Sequence, residues 1–153
     1  MDRRSRFVGL VLALAVCAGV AAPAAAAAPM GASVKMLDAV NDFRQDQGLQ
    51  PYRMSRALSR SSTAFAAWQM RSDYFGHAGS IRAAGNYSSL GEAIAMHTGH
   101  RRRIRATVRG WANSPGHRAL LLSTNFRDAG AGLARGRLGG ASATIWVLQL
   151  GRR

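Results

Sequence analysis

The segment of residues 142–150 constrains the fold most, because it predicts a β-strand that is apolar on both faces. It is rich in Thr, Ile, Trp and Val, the residue types that favour strands. Ile145 and Val147 alternate with Trp146 and Leu148, so neither face suits water. A partner strand is predicted over residues 128–134, joined through the glycine-rich turn 135–140. A small sheet with helices on both faces meets this requirement.

Four helices are predicted before these strands, from capping residues and helical spacing. Ser33 is expected to cap the first, which ends at Gln47-Gly48, and the second begins at Ser55 and ends near residues 74–76. A loop covers residues 79–89, a basic amphipathic helix residues 104–111, and Ser114-Pro115 begin the fourth helix. The residues expected to face the core are Val34, Leu37, Val40, Phe43, Leu58, Phe65, Val108 and the three tryptophans, Trp68, Trp111 and Trp146.

The N-terminus has the plan of a cleavable signal peptide. Arginines at positions 3, 4 and 6 precede an apolar run over residues 7–20, and Ala-x-Ala triplets follow. We predict a signal peptide over residues 1–27, cut between Ala26 and Ala28, then a linker over 28–34 and one domain over 35–153. An uncleaved anchor would need about 20 apolar residues, more than this run offers. The expected location is therefore secreted, either extracellular or associated with the cell envelope, with no transmembrane helix in the mature protein.

Cysteine use and charge bound the class of protein. Cys17 is the only cysteine and follows Val16, whereas a lipidated cysteine needs a small residue before it. The domain then has no disulfide and depends on its core. Removal of the signal takes away three arginines and one aspartate, so the net charge falls from +14 to +12. Such a charge favours anionic cell-envelope polymers or lipids as partners.

Nucleic acid is not an expected partner, although arginines cluster between Arg101 and Arg109. Single-stranded nucleic acids need aromatic side chains for stacking, and none is interleaved with these arginines. An exported protein would also not normally meet nucleic acid. We interpret the cluster as a solvated helix face, and we expect a monomer.

Three residues could carry chemistry: His77, Glu92 and His117. Glu92 is the only glutamate and lies between Leu90 and Ile94, which predicts partial burial and therefore a polar partner. His117 falls in the first turn of a helix, where the dipole disfavours the charged ring. Two imidazoles and a carboxylate suit zinc or a similar divalent metal. The residues are far apart in sequence and form no compact ligand motif, so spacing alone favours three hydrogen-bonded structural residues over a metal site.

Other candidate groups are weaker. Ser114 lies near His117, but an N-cap role accounts for it and no acid is placed to orient the histidine. His97 and His100 lie in a loop beside the arginines and are expected to be solvated. Serine catalysis is therefore not predicted.

Several motifs together resemble the CAP superfamily, the cysteine-rich secretory protein, antigen 5 and pathogenesis-related 1 group with its SCP-like extracellular domain, in a bacterial cysteine-free branch. The resemblance runs from about Met36 to Gly151, and its order and spacing make it specific. The segments that carry it are Leu37-Asp38-Ala39-Val40-Asn41-Asp42-Phe43-Arg44, Phe75-Gly76-His77, Gly91-Glu92-Ala93-Ile94-Ala95, Trp111-Ala112-Asn113-Ser114-Pro115-Gly116-His117-Arg118, Phe126-Arg127-Asp128-Ala129-Gly130-Ala131-Gly132 and Trp146-Val147-Leu148-Gln149.

The resemblance implies an α+β fold, a three-layer α-β-α sandwich in which His77, Glu92 and His117 converge on a surface cavity. Some relatives bind a divalent metal there. Two departures matter: Asn113 and Ser114 stand where eukaryotic relatives have a second glutamate, and Ala93 replaces an asparagine of the Gly-Glu-Asn-Ile-Ala box. The missing glutamate weakens an acid/base mechanism that needs two carboxylates, and Ala93 removes one side-chain hydrogen bond near the cavity.

Three functions follow, in order of preference, because a fold alone does not select one. The first is an extracellular binding module that takes a divalent metal or a small ligand in the cavity and uses its basic surface near the envelope. The second is a metal-dependent hydrolase of peptides or cell-wall material, with Glu92 as general base and the candidate catalytic residue. The third is a lipid or sterol carrier. The order favours binding over catalysis.

Overall fold

The structure is a computed structural model that describes residues 30–153. The expected signal peptide and its cleavage site lie outside the described residues. The elements in chain order are α1 (Met30–Asp46), β1 (Arg53–Met54), α2 (Arg56–Arg71), β2 (Ser89–Thr98), α3 (Ile104–Ala112), α4 (Pro115–Leu122), β3 (Asp128–Leu138) and β4 (Ala141–Arg152). The strands form one sheet in the order β1-β3-β4-β2. Only the β1–β3 pair is parallel, and the α+β class with helices on both faces is confirmed.

Strand β4 is the centre of the fold, as its two apolar faces predict. Residues 143–151 are all buried. Trp146, Leu148 and Leu150 face the larger core, which also holds buried side chains of α1, α3 and α4. Ile145 and Val147 face the other side and pack in a smaller cluster with α2. The sheet is therefore covered unequally, with most of the apolar volume on the α1 side.

Glycines let α2 lie directly on β3. A Cβ atom at Gly130 would lie 2.1 Å from the backbone nitrogen of Ser59, and one at Gly132 would lie 2.1 Å from that of Thr63. No side chain fits such gaps, so these positions require glycine. The Ser62 hydroxyl donates a 2.9 Å hydrogen bond to the Gly130 carbonyl across the same contact. This contact fixes the position of α2 on the sheet and therefore the point at which the segment after Arg71 begins.

Several local expectations are wrong. Ser33 does not cap α1, because the helix begins at Met30 and includes residues that were predicted to form a linker. Ser33 lies buried inside the helix, and its hydroxyl donates a hydrogen bond to the Ala131 carbonyl. Val34 is consequently on the exposed side of α1, and its 41% exposure contrasts with the burial of Met36. Helix α2 ends at Arg71, before the predicted residues 74–76.

The strands also differ from the prediction in extent. The apolar segment around Ala93 is part of a ten-residue strand, β2. Strands β3 and β4 continue to Leu138 and Ala141, so the predicted turn 135–140 shrinks to Gly139 and Gly140, both with positive φ. Strand β1 was missed because two residues are too few for any alternation. Among residues 30–153, no helix combines the length and apolarity needed to cross a membrane.

Candidate functional site

Glu92 lies at the centre of the candidate site, buried on the α2 side of the sheet edge. Strand β2 places it opposite Gln149 of β4 in the antiparallel register. Its side chain is 5% exposed, so its carboxylate needs local partners. Oε1 accepts from the backbone nitrogen of Ala78 at 2.9 Å and lies 3.2 Å from Nδ1 of His77. Oε2 accepts from Nε2 of Gln149 at 3.2 Å, so both oxygens are engaged.

His77 reaches the carboxylate because the segment after α2 is anchored to that helix. The backbone nitrogen of Gly76 donates a 3.0 Å hydrogen bond to Oε1 of Gln69, a fully buried side chain of α2. Gly76 also packs under Tyr74, where a Cβ atom would lie 2.2 Å from the tyrosine oxygen. The His77 side chain is 56% exposed. With Nδ1 turned to Glu92, its Nε2 is the nitrogen left for a ligand.

His117 completes the group from α4. Pro115 occupies the start of that helix, and Ser114 has the extended backbone of an N-cap, as predicted, although its side chain makes no capping hydrogen bond. The His117 ring centroid lies 6.0 Å from that of His77, with the planes tilted by 43°. Burial, and then the nearby His77, lower the pKa of His117. A lowered pKa favours the neutral ring, which can offer a lone pair to a ligand.

The structure thus brings the three predicted residues together in a row, Glu92 to His77 to His117. Within residues 30–153 no hydrogen bond joins His117 to Glu92, and no three His, Cys, Asp or Glu side chains already form a metal cluster. For two imidazoles bound tetrahedrally to zinc, a centroid separation of about 5 Å follows from the zinc–nitrogen bond length. The observed 6.0 Å is close to that separation. These two rings are therefore the candidate nitrogen ligands of a metal at this site.

Two glutamines of the site were missed by the sequence analysis as functional residues. Gln69 and Gln149 are both almost fully buried, and one polar atom of each side-chain amide makes a hydrogen bond at the site. The remaining atoms, Nε2 of Gln69 and Oε1 of Gln149, find no hydrogen-bond partner among the described residues. A polar residue inside the apolar strand β4 was the available signal for Gln149.

The remaining polar candidates lie elsewhere. His97 is half-buried, with its Nε2 2.7 Å from the Thr107 hydroxyl, and burial lowers its pKa. His100 is exposed, as expected, and lies beside the Gly136 carbonyl. Trp111 and Trp146 are buried as predicted, whereas Trp68 is 45% exposed and does not face either core. The interpretation of Trp68 as a core residue is therefore wrong, because it lies on the outer side of α2.

Comparison with known proteins identifies relatives. Residues 37–150 match the sequence model of the cysteine-rich secretory protein family, CAP. The Bacillus subtilis (strain 168) protein YkwD is 32% identical over 124 residues, which cover 75% of this chain and 45% of that protein. The chain therefore spans less than half the length of this relative.

Solved structures show the same fold. An extracellular protein containing an SCP domain from Bacillus anthracis aligns with a TM-score of 0.61 and 20% identity, over 80% of this chain and 41% of that one. An outer surface protein of Borrelia burgdorferi aligns with a TM-score of 0.65 and 17% identity, over 85% of this chain and 99% of the other. Both names describe proteins outside the cytoplasm.

Proposed function

Because the chain belongs to the cysteine-rich secretory protein (CAP) family, we propose that it is a secreted binding domain that holds a divalent metal between His77 and His117. The single observation that carries this proposal is the row of side chains in which a buried carboxylate contacts one of two neighbouring imidazoles. The expected signal peptide and the extracellular or surface location named for the structural relatives support export.

In this proposal the two histidines supply nitrogen ligands to the metal, and Glu92 supports His77 through a hydrogen bond to its ring. A carboxylate that accepts the second N–H of a histidine fixes its tautomer and raises its basicity as a ligand. Glu92 has the required contact, 3.2 Å from Nδ1 of His77. Imidazole nitrogen suits zinc, copper or nickel better than calcium or magnesium. Solvent would complete the shell on the exposed side of His77.

The positive surface supports a location near anionic envelope polymers or lipids. Arg101, Arg103, Arg105 and Arg109 are all exposed around α3, and the described residues near them offer no carboxylate in an ion pair with any of the four. Attraction of this kind is long-ranged, non-specific and weakened by salt. It would concentrate the protein at the envelope and leave the cavity free for its ligand.

The geometry supports binding better than hydrolysis. A general base must lie within hydrogen-bond reach of the water whose proton it takes, so its oxygens must be accessible to that water. Both oxygens of Glu92 already accept hydrogen bonds, from Ala78 and from Gln149, and the side chain is 5% exposed. A lipid carrier would bind through apolar faces of α1 and α2, and the buried apolar side chains of both helices pack into the two cores.

Calorimetric titration with zinc tests the proposal. We expect saturable binding by the purified protein and none by the His77→Ala/His117→Ala variant. Glu92→Gln keeps the shape but weakens the acceptor, and should reduce affinity about 10- to 100-fold. The matched control is His100→Ala, an exposed histidine outside the site, which should bind like the parent. Equal heats for the parent and the double variant would refute the metal site.

A further inference from the structure

A groove adjoins the candidate metal site on the outer side of α2. It encloses about 500 Å³ between that helix and the segment after His77, a volume suited to a small ligand. Its lining includes Phe65, Trp68, Ala78, Ile81, Arg82 and Gln149. Ala78 and Gln149 are also the residues that donate to Glu92, so the groove and the site share a wall.

The outer wall of the groove is aromatic. The rings of Phe65 and Trp68 stack with centroids 5.6 Å apart and planes 11° from parallel. Trp68 remains 45% exposed, although an indole is a large apolar surface. Tyr74 packs edge-on against Trp68 at 5.5 Å and steadies it. A rigid, exposed indole that belongs to neither core is suited to packing against one face of a ligand.

Strand β4 contributes Gln149 to the lining of the groove, and the buried Oε1 of this side chain has no hydrogen-bond partner among the described residues. Gln149 is 1% exposed, and its orientation is set because Nε2 donates to Glu92. Oε1 therefore cannot exchange places with the nitrogen, and no described residue donates to it. A buried acceptor without a donor costs free energy, and a ligand whose donor group reaches this oxygen would recover that cost.

From these two walls we infer that the groove binds a neutral N-acetylated sugar of a glycan chain. The C–H face of a pyranose packs on aromatic rings, and its acetamide N–H can donate to a buried acceptor such as Oε1 of Gln149. A hydrocarbon chain without a donor group would leave that oxygen unpaired. An extended peptide binds by adding to a sheet edge. The groove is instead lined by a helix side, a loop and β4, which is paired on both sides.

The inference is independent of the metal site, although the two are adjacent. Stacking on Trp68 and donation to Gln149 require neither imidazole. A loop contact holds the groove in shape, since the Ser61 hydroxyl donates a 2.8 Å hydrogen bond to the Arg82 carbonyl. Failure of zinc binding would therefore leave glycan binding to be judged by its own measurement.

The test is a titration with the β-1,4-linked tetramer of N-acetylglucosamine, followed by tryptophan fluorescence and calorimetry. We expect saturable binding by the purified protein, unchanged by a chelator and by His77→Ala/His117→Ala. Trp68→Ala should weaken it about tenfold or more, while Trp68→Phe, which keeps a ring, should retain part of it. The matched control is Phe75→Ala, because Phe75 is 41% exposed yet does not line the groove, and this variant should bind normally.

Matched ligands decide the chemical class. The glucose tetramer with the same linkage offers a hydroxyl in place of each acetamide and should bind several-fold more weakly. Equal binding of the two tetramers, saturable binding of a neutral Gly/Ala peptide in place of the glycan, or equal losses in Trp68→Ala and Phe75→Ala would each overturn the proposal. Absence of saturable binding would overturn it as well. Thermal unfolding of each variant verifies that Trp68→Ala remains folded.

Discussion

The two faces of the sheet are covered in different ways. On the α1 side, apolar volume covers the sheet, with Trp146, Leu148 and Leu150 packed against Trp111, Met36 and other buried side chains. On the α2 side, the helix backbone touches β3 through two glycines, and the other half of that face holds Glu92, Gln149 and Gln69. The comparison shows that one face carries most of the apolar core, whereas the other combines a smaller apolar cluster with buried polar groups that a uniformly apolar face would exclude.

The largest expected effect lies on the α1 side. Trp146→Ala removes a fully buried indole and the hydrogen bond from its Nε1 to the Arg102 carbonyl. We expect a loss of about 4 kcal/mol in the free energy of unfolding. Ile145→Val, on the opposite face of the same strand, should cost about 1 kcal/mol. Urea denaturation measures both losses, and a loss below about 1 kcal/mol for Trp146→Ala would contradict its burial in the main core.

The next effect tests the backbone contact on the α2 side. Gly132→Ala places a Cβ atom 2.1 Å from the Thr63 nitrogen, and helix α2 must move to relieve it. We expect a loss on the order of 3 kcal/mol in stability. The control is Gly110→Ala in α3, where nothing lies within 4 Å of the new Cβ atom. That variant should gain about 0.5–1 kcal/mol, because alanine favours helices. A neutral Gly132→Ala would show that α2 does not lie on β3.

The free energy of unfolding should depend on alkaline pH because of Tyr52, a buried residue of the larger core on the α1 side. Burial raises the pKa of Tyr52 to about 12, although Arg44 opposes the shift. The unfolded chain releases this proton near pH 10, so the folded state is favoured below that pH and loses up to about 2 kcal/mol as pH rises toward 12.

Tyr52→Phe has no phenol at this position and should lose less stability over the same pH range. The substitution also removes the hydrogen bond from the Tyr52 hydroxyl to the Leu120 carbonyl, which lowers stability at every pH. This constant loss does not change how steeply stability falls with pH, which is the quantity compared. Urea denaturation at pH 8, 10 and 11 gives both slopes, and parallel curves for the two proteins would contradict the prediction.

The smallest expected effect lies at the polar site. Burial and His77 lower the pKa of His117, so the unfolded chain takes up a proton at a higher pH than the folded protein does. Stability from this residue is therefore present above about pH 6.5 and falls as pH falls through that value toward the lower folded pKa. An NMR titration should give a midpoint below the usual histidine value. His77→Ala should raise it only part of the way, since burial remains.

The elements of the fold were largely predictable, and the errors were local. Helices α2, α3 and α4 and the two long strands of the C-terminal hairpin follow from caps and periodicity. The prediction that Ser33 caps α1 was wrong because serine is a common N-cap, whereas here its hydroxyl donates to a carbonyl of β3. Trp68 misled because a large aromatic residue at helical spacing usually lies in a core.

The site was predictable only through resemblance, since spacing alone did not distinguish ligands from structural polar residues. The structure places Nδ1 of His77 3.2 Å from Glu92 and the ring of His117 6.0 Å from that of His77. The contributions of Gln69 and Gln149 were not predicted, because their role depends on which backbone and carboxylate groups lie opposite them.

By itself, the amino-acid sequence determined the class of the fold and the burial of β4, because strand and helix periods are local properties that require cover on stated faces. Only the tertiary structure decided that α2 lies against two glycines of β3, that Gly76 is hydrogen-bonded to Gln69, and that an exposed indole and a buried amide line one groove. These contacts join segments far apart in sequence, and the burial of the whole core selects them.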